Sequence, residues 1–325
     1  MCAKSVRHYL ALDTTPGAPA PADQMLWELT WGPIDLLVCI SPELDHQRGC
    51  LAAAAALHAG AIVGLVHRAD LIRPNGRYFS EPPAPLSLLA LSPHVVEPVR
   101  KRMKGFLTVG WAMLVAPFEP AQPCTSRACL QGFTVQGSLR KWSTGSGSGL
   151  IRNFTSLWEQ LQRPGAERVN ITVLGKGSRA DLDIPPQLDS RVEFYGGLPY
   201  PAFWQKVCTS YALIPAFGNN QYLTTRLSST VLASLTTCVP IIATREFLDA
   251  YSFLSEDHVF LQYPGEREAN VMRRVLELDD ATIFGKRRAL CALRQRLGQQ
   301  AAAVLRGAVS VARAKSALTQ LQPAA

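Results

Sequence analysis

The chain has 325 residues, 47% of them hydrophobic and 18% charged, with a net charge of +8. That excludes a mainly disordered chain, which needs low hydrophobicity and high charge, and 23 Gly with 23 Pro is too few for a collagen-like one. The length suggests two domains or one large one, and no apolar run reaches the ~20 residues of a membrane span.

Apolar strand-like runs alternate with helical periods, the pattern of an α/β fold with parallel sheets. In the first part the spacing predicts strands over Ile34–Ser41, Ala61–His67, Leu86–Leu91 and Leu107–Val115. An Ala-rich helix, Cys50–His58, lies between the first two, and LSPHVVEPVRKRMKG reads as a short helix broken at Pro98. Pro117–Cys129 holds three prolines and no periodicity, which marks a linker and the domain boundary.

In the second part Phe133–Gly137 reads as a strand and Ser143–Gly149 as a flexible insertion. Leu150, Ile151, Phe154, Leu157, Trp158 and Leu161 then recur at helical spacing. Strands follow over Val169–Leu174, Val192–Tyr195, Tyr211–Pro215, Val239–Ala243 and His258–Gln262. Helices are predicted over Tyr200–Cys208, from Ser228 or Ser229 through Leu235, and from Asp280 onward. Residues 130–280 therefore alternate as a doubly wound sheet. Such sheets bind ligands at the carboxyl ends of their strands, near helix N-termini.

The charge is uneven. Residues 1–130 carry +1 and residues 131–325 carry +7. A basic half suits a phosphorylated ligand, an anionic membrane surface or nucleic acid. No Lys/Arg stripe is interleaved with aromatics, so nucleic acid is not expected. Lys286, Arg287, Arg288, Arg294, Arg296, Arg306, Arg313 and Lys315 lie on the terminal helices, where a solvated basic face or peripheral membrane contact would use them.

None of the eight cysteines forms C-x-x-C, and several lie in apolar segments, as reduced buried thiols do. The opening MCAKSVRHYL shows neither the apolar stretch nor the cleavage site of a secretion signal. The expectation is a reducing, cytoplasmic setting. The sequons Asn153-Phe-Thr155 and Asn170-Ile-Thr172 then read as chance matches.

Four places could carry chemistry. Gly137 and Ser138 follow a strand, where glycine allows close backbone approach to an anion. In YLTTRLSSTVLASL, Ser228, Ser229 and Thr230 open an apolar helix whose N-terminus would seat a phosphate, with Arg226 one turn ahead. Plain N-capping explains the same serines. TVLGKG is a strand leading into a turn, without Walker A spacing. His67 ends an apolar strand and is the general acid/base or acceptor-contact candidate of the first half. No metal motif stands out, and G-x-G-x-x-G and G-x-S-x-G are both absent, which speaks against an epimerase and a hydrolase.

Taken in order, FTVQGSLR, RNFTSLWEQL, ITVLGKG, VEFYGGLPYPAFWQKV and YALIPAFGNNQYLTTRLSSTVLASLTTCVPIIAT resemble the nucleotide-binding half of GT-B glycosyltransferases, in particular family 4-like and exostosin-like members. The resemblance spans residues 130–260. It implies two Rossmann-like doubly wound domains: an abbreviated N-terminal acceptor domain over 1–120, a nucleotide-sugar domain over 130–285, and terminal helices over 286–325 that cross back. It implies transfer of a sugar from a nucleoside-diphosphate sugar to a glycan, lipid or protein acceptor, with no cofactor and no metal. Gly137, Ser138, Arg226, Ser228, Ser229 and Thr230 would hold the diphosphate. Gly196, Gly197, Leu198 and Tyr200 would lie beside the nucleobase, and His67 would face the acceptor or transferred sugar. The paired glutamates of many retaining members are missing, since no glutamate lies between Glu193 and Glu246, and Cys238 stands where the G-x-P turn has glycine. The alternative is therefore a non-catalytic GT-B-like binding or partner subunit.

Overall fold

A computed structural model describes residues 34–44, 49–73, 81–104, 108–137, 141–144, 147–150 and 152–321. The chain divides into two units. One holds the residues up to Ala90, Val96–Trp111 and those from Ala303 on; the other holds Leu91–Val95 and Ala112–Ala302.

The first unit carries a four-stranded sheet in sequence order: β1 (Leu37–Ile40), β2 (Ile62–Val66), β3 (Leu86–Ala90) and β4 (Val109–Trp111). All three pairings are parallel. β2 is buried along its whole length, so it reads as a continuous apolar run rather than an alternating one. Gly64 is needed there, because a Cβ would stand 2.8 Å from Leu88 Cδ2 and 3.0 Å from Pro42 Cγ. Helix α1 (Gly49–Ala56) lies between β1 and β2 in the chain. Helix α2 (Pro93–Met103) contains Pro98 without breaking, which corrects the expected interruption. Pro98 is the sixth helical residue, inside the helix, so one i→i−4 hydrogen bond is missing there although the helix continues to Met103.

The second unit is wound around one parallel sheet. β5 (Phe133–Gln136), β8 (Ile171–Gly175) and β9 (Val192–Gly196) pair in the order β5-β8-β9. β10 (Ile241–Ala243) pairs with β11 (Val259–Leu261). Leu213 joins the two groups, bridging Thr134 on one side and Ile241 on the other. The predicted strand Tyr211–Pro215 is thus an irregular segment with strand-like bonds: Thr134 N–H to the Ala212 carbonyl, Ile214 N–H to Thr134, and Ile242 N–H to Leu213. The spatial order is β9-β8-β5-(211–215)-β10-β11. Order reverses between β5 and the 211–215 segment, and that reversal is the topological switch point of a doubly wound sheet.

Between β5 and β8 the chain forms an antiparallel hairpin, β6 (Lys141–Thr144) and β7 (Gly147–Leu150), where sequence suggested a flexible insertion. Helix α3 (Phe154–Leu161) starts four residues later than the apolar spacing implied, because Asn153 Oδ1 caps it by accepting the Ser156 N–H at 3.1 Å. Such a cap is worth ~1 kcal/mol. Ile151 lies outside the described residues. The face of α3 that carries Phe154, Leu157, Trp158 and Leu161 packs into the core with Phe133, Val173, Phe260 and Met272.

Helices α4 (Tyr200–Cys208), α5 (Gln221–Thr224), α6 (Ser229–Thr237), α7 (Arg245–Ala250) and α8 (Glu268–Glu277) complete the cycles. The terminal helix α9 (Asp280–Leu321) begins in the second unit and ends in the first. Its basic residues do not form one solvated face. Arg287 is 8% exposed and donates to the Cys208 and Ser210 carbonyls. Arg294 donates to the Thr236 carbonyl, and Arg313 pairs with Asp35. No described helix is long and apolar enough to cross a membrane.

The expectation of reduced thiols fails for six cysteines. Cys39–Cys50, Cys124–Cys129 and Cys238–Cys291 form disulfides with Cα atoms 5.9, 5.5 and 5.3 Å apart, within the range that allows the bond. The partners lie five, 11 and 53 residues apart in sequence, so C-x-x-C spacing could not reveal them. Cys208 is free and buried, and burial pushes its thiol up to about 11. Cys238 caps α6 in the left-handed region at φ 56°, which explains why glycine suits the corresponding turn.

Candidate functional site at the switch point of the second sheet

β5 ends at Gln136, and Gly137 follows with φ +133°, a conformation that L side chains rarely adopt. A Cβ on Gly137 would stand 3.1 Å from Arg152 Nη2 and 3.7 Å from Ser229 Oγ. A Cβ on Gly175, at the end of β8, would collide with the Gly137 carbonyl. Two glycines therefore let the chain turn tightly over the switch point.

Beneath that turn lies Arg152, 3% exposed. Its Nη1 donates to the Pro215 carbonyl, at the end of the 211–215 segment. Its Nη2 donates to the Gln136 carbonyl at 2.9 Å and to Thr230 Oγ1 at 3.0 Å. One guanidinium thus ties together the two strand ends that flank the switch point and the first turn of α6. The rings of Phe217 and Tyr222 lie 5.8 and 5.9 Å from its Cζ.

Burial lowers Arg152 to about 10, so it remains charged at neutral pH. The groups whose charge bears on it are the Tyr222 and Tyr251 hydroxyls; among the described residues no carboxylate does. The sequence explains this, since neither Asp nor Glu occurs between Glu193 and Glu246. An uncompensated buried cation is costly, and a ligand anion at the turn above would supply the missing charge.

The N-terminus of α6 completes the arrangement. Ser228 is the N-cap, its hydroxyl accepting the Thr230 N–H at 3.2 Å. Ser228 is fully buried and its own N–H donates to Tyr251 Oη at 3.0 Å, so its role is capping. Ser229 is exposed, and its hydroxyl accepts from Gln136 Nε2 at 3.2 Å. Its hydroxyl and its own N–H can face an anion, with the positive end of the helix dipole behind them, while the Thr230, Val231 and Leu232 N–H groups are taken by Ser228.

A buried tyrosine and a half-buried histidine hold this loop in place. Tyr251 Oη donates to the Tyr222 carbonyl at 2.7 Å while accepting from Ser228, and burial raises its pKa. His94 Nε2 lies 3.0 Å from the Arg226 carbonyl and its Nδ1 lies 3.0 Å from Ser92 Oγ. The imidazole meets the Tyr251 ring edge-on at 4.6 Å, and burial lowers its pKa. Arg226 is half-buried, with its backbone fixed by His94 and Gln221.

The structure thus brings Gly137, Ser228, Ser229 and Thr230 together. Ser138 lies outside the described residues. Gly196 ends β9 and Gly197, Leu198 and Tyr200 follow it on the same carboxyl edge, two strands from β5, which is about 10 Å at usual strand spacing. Gly196 and Gly197 are exposed, Gly197 at φ +70° with open space around it, and Tyr200 is 76% exposed with its ring stacked toward Trp204.

His67 belongs to the first unit, directly after β2. Its N–H and that of Arg68 donate to Glu43 Oε1 at 3.0 and 2.8 Å. Glu43 is 5% exposed, its Oε2 is unpartnered, and burial raises its pKa. Among the described residues, no group of three His, Cys, Asp or Glu side chains could hold a metal.

Sequence reading missed Arg152, Gln136, His94, Tyr251 and Glu43. Only Arg152 left a signal: a single cation before the capping Asn153 in the otherwise apolar GLIRNF.

No family model matches the chain, and no curated protein does. Solved structures do. Sucrose-phosphate synthase from Thermosynechococcus elongatus is 11% identical, with a TM-score of 0.56 over 88% of this chain and 76% of that one. The T4 phage BGT complex with its UDP-glucose substrate is 12% identical, with a TM-score of 0.54 over 84% and 81%. OtsA is 9% identical, with a TM-score of 0.51 over 82% and 77%. At these identities the likeness is one of fold: the chain has the α/β fold of GT-B glycosyltransferases.

Proposed function

We propose that the chain is a glycosyltransferase that uses a nucleoside-diphosphate sugar, with the diphosphate seated at the switch point of the second sheet. The observation that carries this reading is the buried Arg152, which binds both flanking strand ends and α6 yet has no carboxylate among the described residues. Supporting it, the BGT structure with the same fold is a complex with UDP-glucose.

In this reading the Gly137 and Ser138 backbone and the Ser229 hydroxyl and N–H bind the phosphate oxygens, while Thr230, expected to share in this, is fully buried and instead ties the α6 end to Arg152. Ser228 caps the helix so that its N–H groups stay oriented. Arg152 supplies fixed positive charge from below, and Arg226 adds a second cation at the loop. The nucleobase lies along Gly196, Gly197, Leu198 and Tyr200. His67 is the proposed acid/base or sugar contact of the first unit, held through its backbone by Glu43.

The chemistry follows from the charges. Breaking the bond between the anomeric carbon and the diphosphate leaves negative charge on the leaving oxygens. Donors and a cation already aimed there stabilise that charge without reorganising. Arg152 and the α6 dipole perform this role with the residues present, so transfer is proposed to proceed without a metal. The acceptor is a glycan, lipid or protein hydroxyl.

Isothermal titration with a panel of nucleoside diphosphates, UDP first, tests the reading. Binding by at least one, weakened about a hundredfold in Arg152→Met, is the expected result. No binding by any at millimolar concentration refutes it. The carboxylate-free stretch between Glu193 and Glu246 favours one second reading, a GT-B-like binding subunit without turnover. Diphosphate binding with no release of sugar from any nucleotide donor would select it.

A further inference from the structure

We infer that Asn170 carries an N-linked glycan, added in the same oxidising compartment in which the three disulfides form. Two independent observations meet here. Six cysteines, in three separate parts of the chain, are paired at disulfide distances. Structural disulfides persist in oxidising compartments and are rare in the cytosol. The chain also holds two sequons, Asn153-Phe-Thr155 and Asn170-Ile-Thr172, and Asn-x-Ser/Thr accepts N-linked glycans in secreted proteins.

The fold separates the two sequons. Asn170 is exposed and immediately precedes β8, where its carbonyl accepts the Phe133 N–H at 2.9 Å. It stands at the amino end of the sheet. The switch point lies at the carboxyl end, roughly 16 Å away at ~3.3 Å per strand residue. A glycan there points into solvent and leaves the donor site open. Asn153 is also exposed, but it adjoins Arg152 and its side chain caps α3. A glycan on Asn153 would stand at the donor site, so an open donor site requires an unmodified Asn153; this contrast rests on the proposed function.

The order of events is also set by burial. Thr172, the hydroxyl residue of the Asn170 sequon, is 7% exposed in the folded sheet. A transferase cannot read that hydroxyl after folding, so the glycan is added to the nascent chain. The Asn170 amide nitrogen displaces a lipid diphosphate from the anomeric carbon of a lipid-linked oligosaccharide. A carbon–nitrogen bond forms, a carbon–oxygen bond breaks, and the amide gives one proton to the transferase. Each disulfide forms as two thiols pass two electrons and two protons to a thiol–disulfide oxidase.

Mass mapping of the full chain, purified from the cells that make it, tests this. The protein is denatured, alkylated without reduction, and treated with peptide N-glycosidase in heavy-oxygen water. The expected result is Asn170 converted to labelled Asp, six cysteines protected from alkylation, and Cys208 alkylated. Asn170→Gln should abolish the gel shift on deglycosylation without altering the disulfides. An unmodified Asn170, or free thiols at the three pairs, overturns the inference. Glycans on both Asn170 and Asn153 would uphold it and instead refute the donor-site reading.

Discussion

Replacing Arg152 by Met removes one buried positive charge and three hydrogen-bond donations, to Gln136, Pro215 and Thr230. A phosphate held by the first turn of α6 would lie roughly 5 Å from the guanidinium. At an effective dielectric of ~20 that is worth about 3 kcal/mol per unit charge, about a hundredfold in Kd. Because Arg152 is buried, added salt screens this little. Stability changes as well. Each abandoned acceptor costs about 1–3 kcal/mol, offset by no longer desolvating a charge. Titration calorimetry should therefore show nucleoside diphosphate binding about a hundredfold weaker in Arg152→Met, with nucleoside binding unchanged. Arg152→Lys keeps the charge and should lose about tenfold. A folded Arg152→Met protein that binds diphosphates like the parent would refute the electrostatic reasoning.

Gly137→Ala forces a Cβ into a φ of +133° and to 3.1 Å from Arg152. It should lower stability in urea titration by about 1–3 kcal/mol and weaken diphosphate binding as well. Tyr251→Phe removes the hydroxyl that joins Ser228 to Tyr222 and should cost about 1–3 kcal/mol, read by thermal unfolding. His94 has a folded-state pKa below the ordinary 6.5, so the unfolded chain binds the extra proton first. Its contribution is therefore absent above pH 6.5, and stability falls as pH drops from there toward the folded pKa. His94→Gln should show a shallower loss over that window than the parent, in denaturant titrations at several pH values. Equal slopes would refute the assignment.

The order of strands was legible in the sequence because buried parallel strands are continuous apolar runs. Ile62–Val66 and Ile241–Ala243 follow that rule, whereas Val192–Gly196, at the sheet edge, buries only Val192 and exposes Glu193. The Tyr211–Pro215 segment was legible as apolar but not as irregular, since only its neighbours fix its bonds. The glycine turn and the α6 cap were legible because Gly and Ser have local conformational roles. Arg152 was not legible as the centre of the site: its partners lie 16, 63 and 78 residues away and are set by topology. The Cys238–Cys291 disulfide was hidden for the same reason, as the two meet only when α9 packs beside the end of α6.

A structure of the chain with UDP bound tests the central claim most directly. The account predicts the diphosphate above Arg152, within hydrogen-bond distance of Ser229 Oγ and the Ser229 N–H, with the base toward Gly197. A diphosphate bound elsewhere on the chain, with the Gly137 turn and the α6 end vacant, would contradict it.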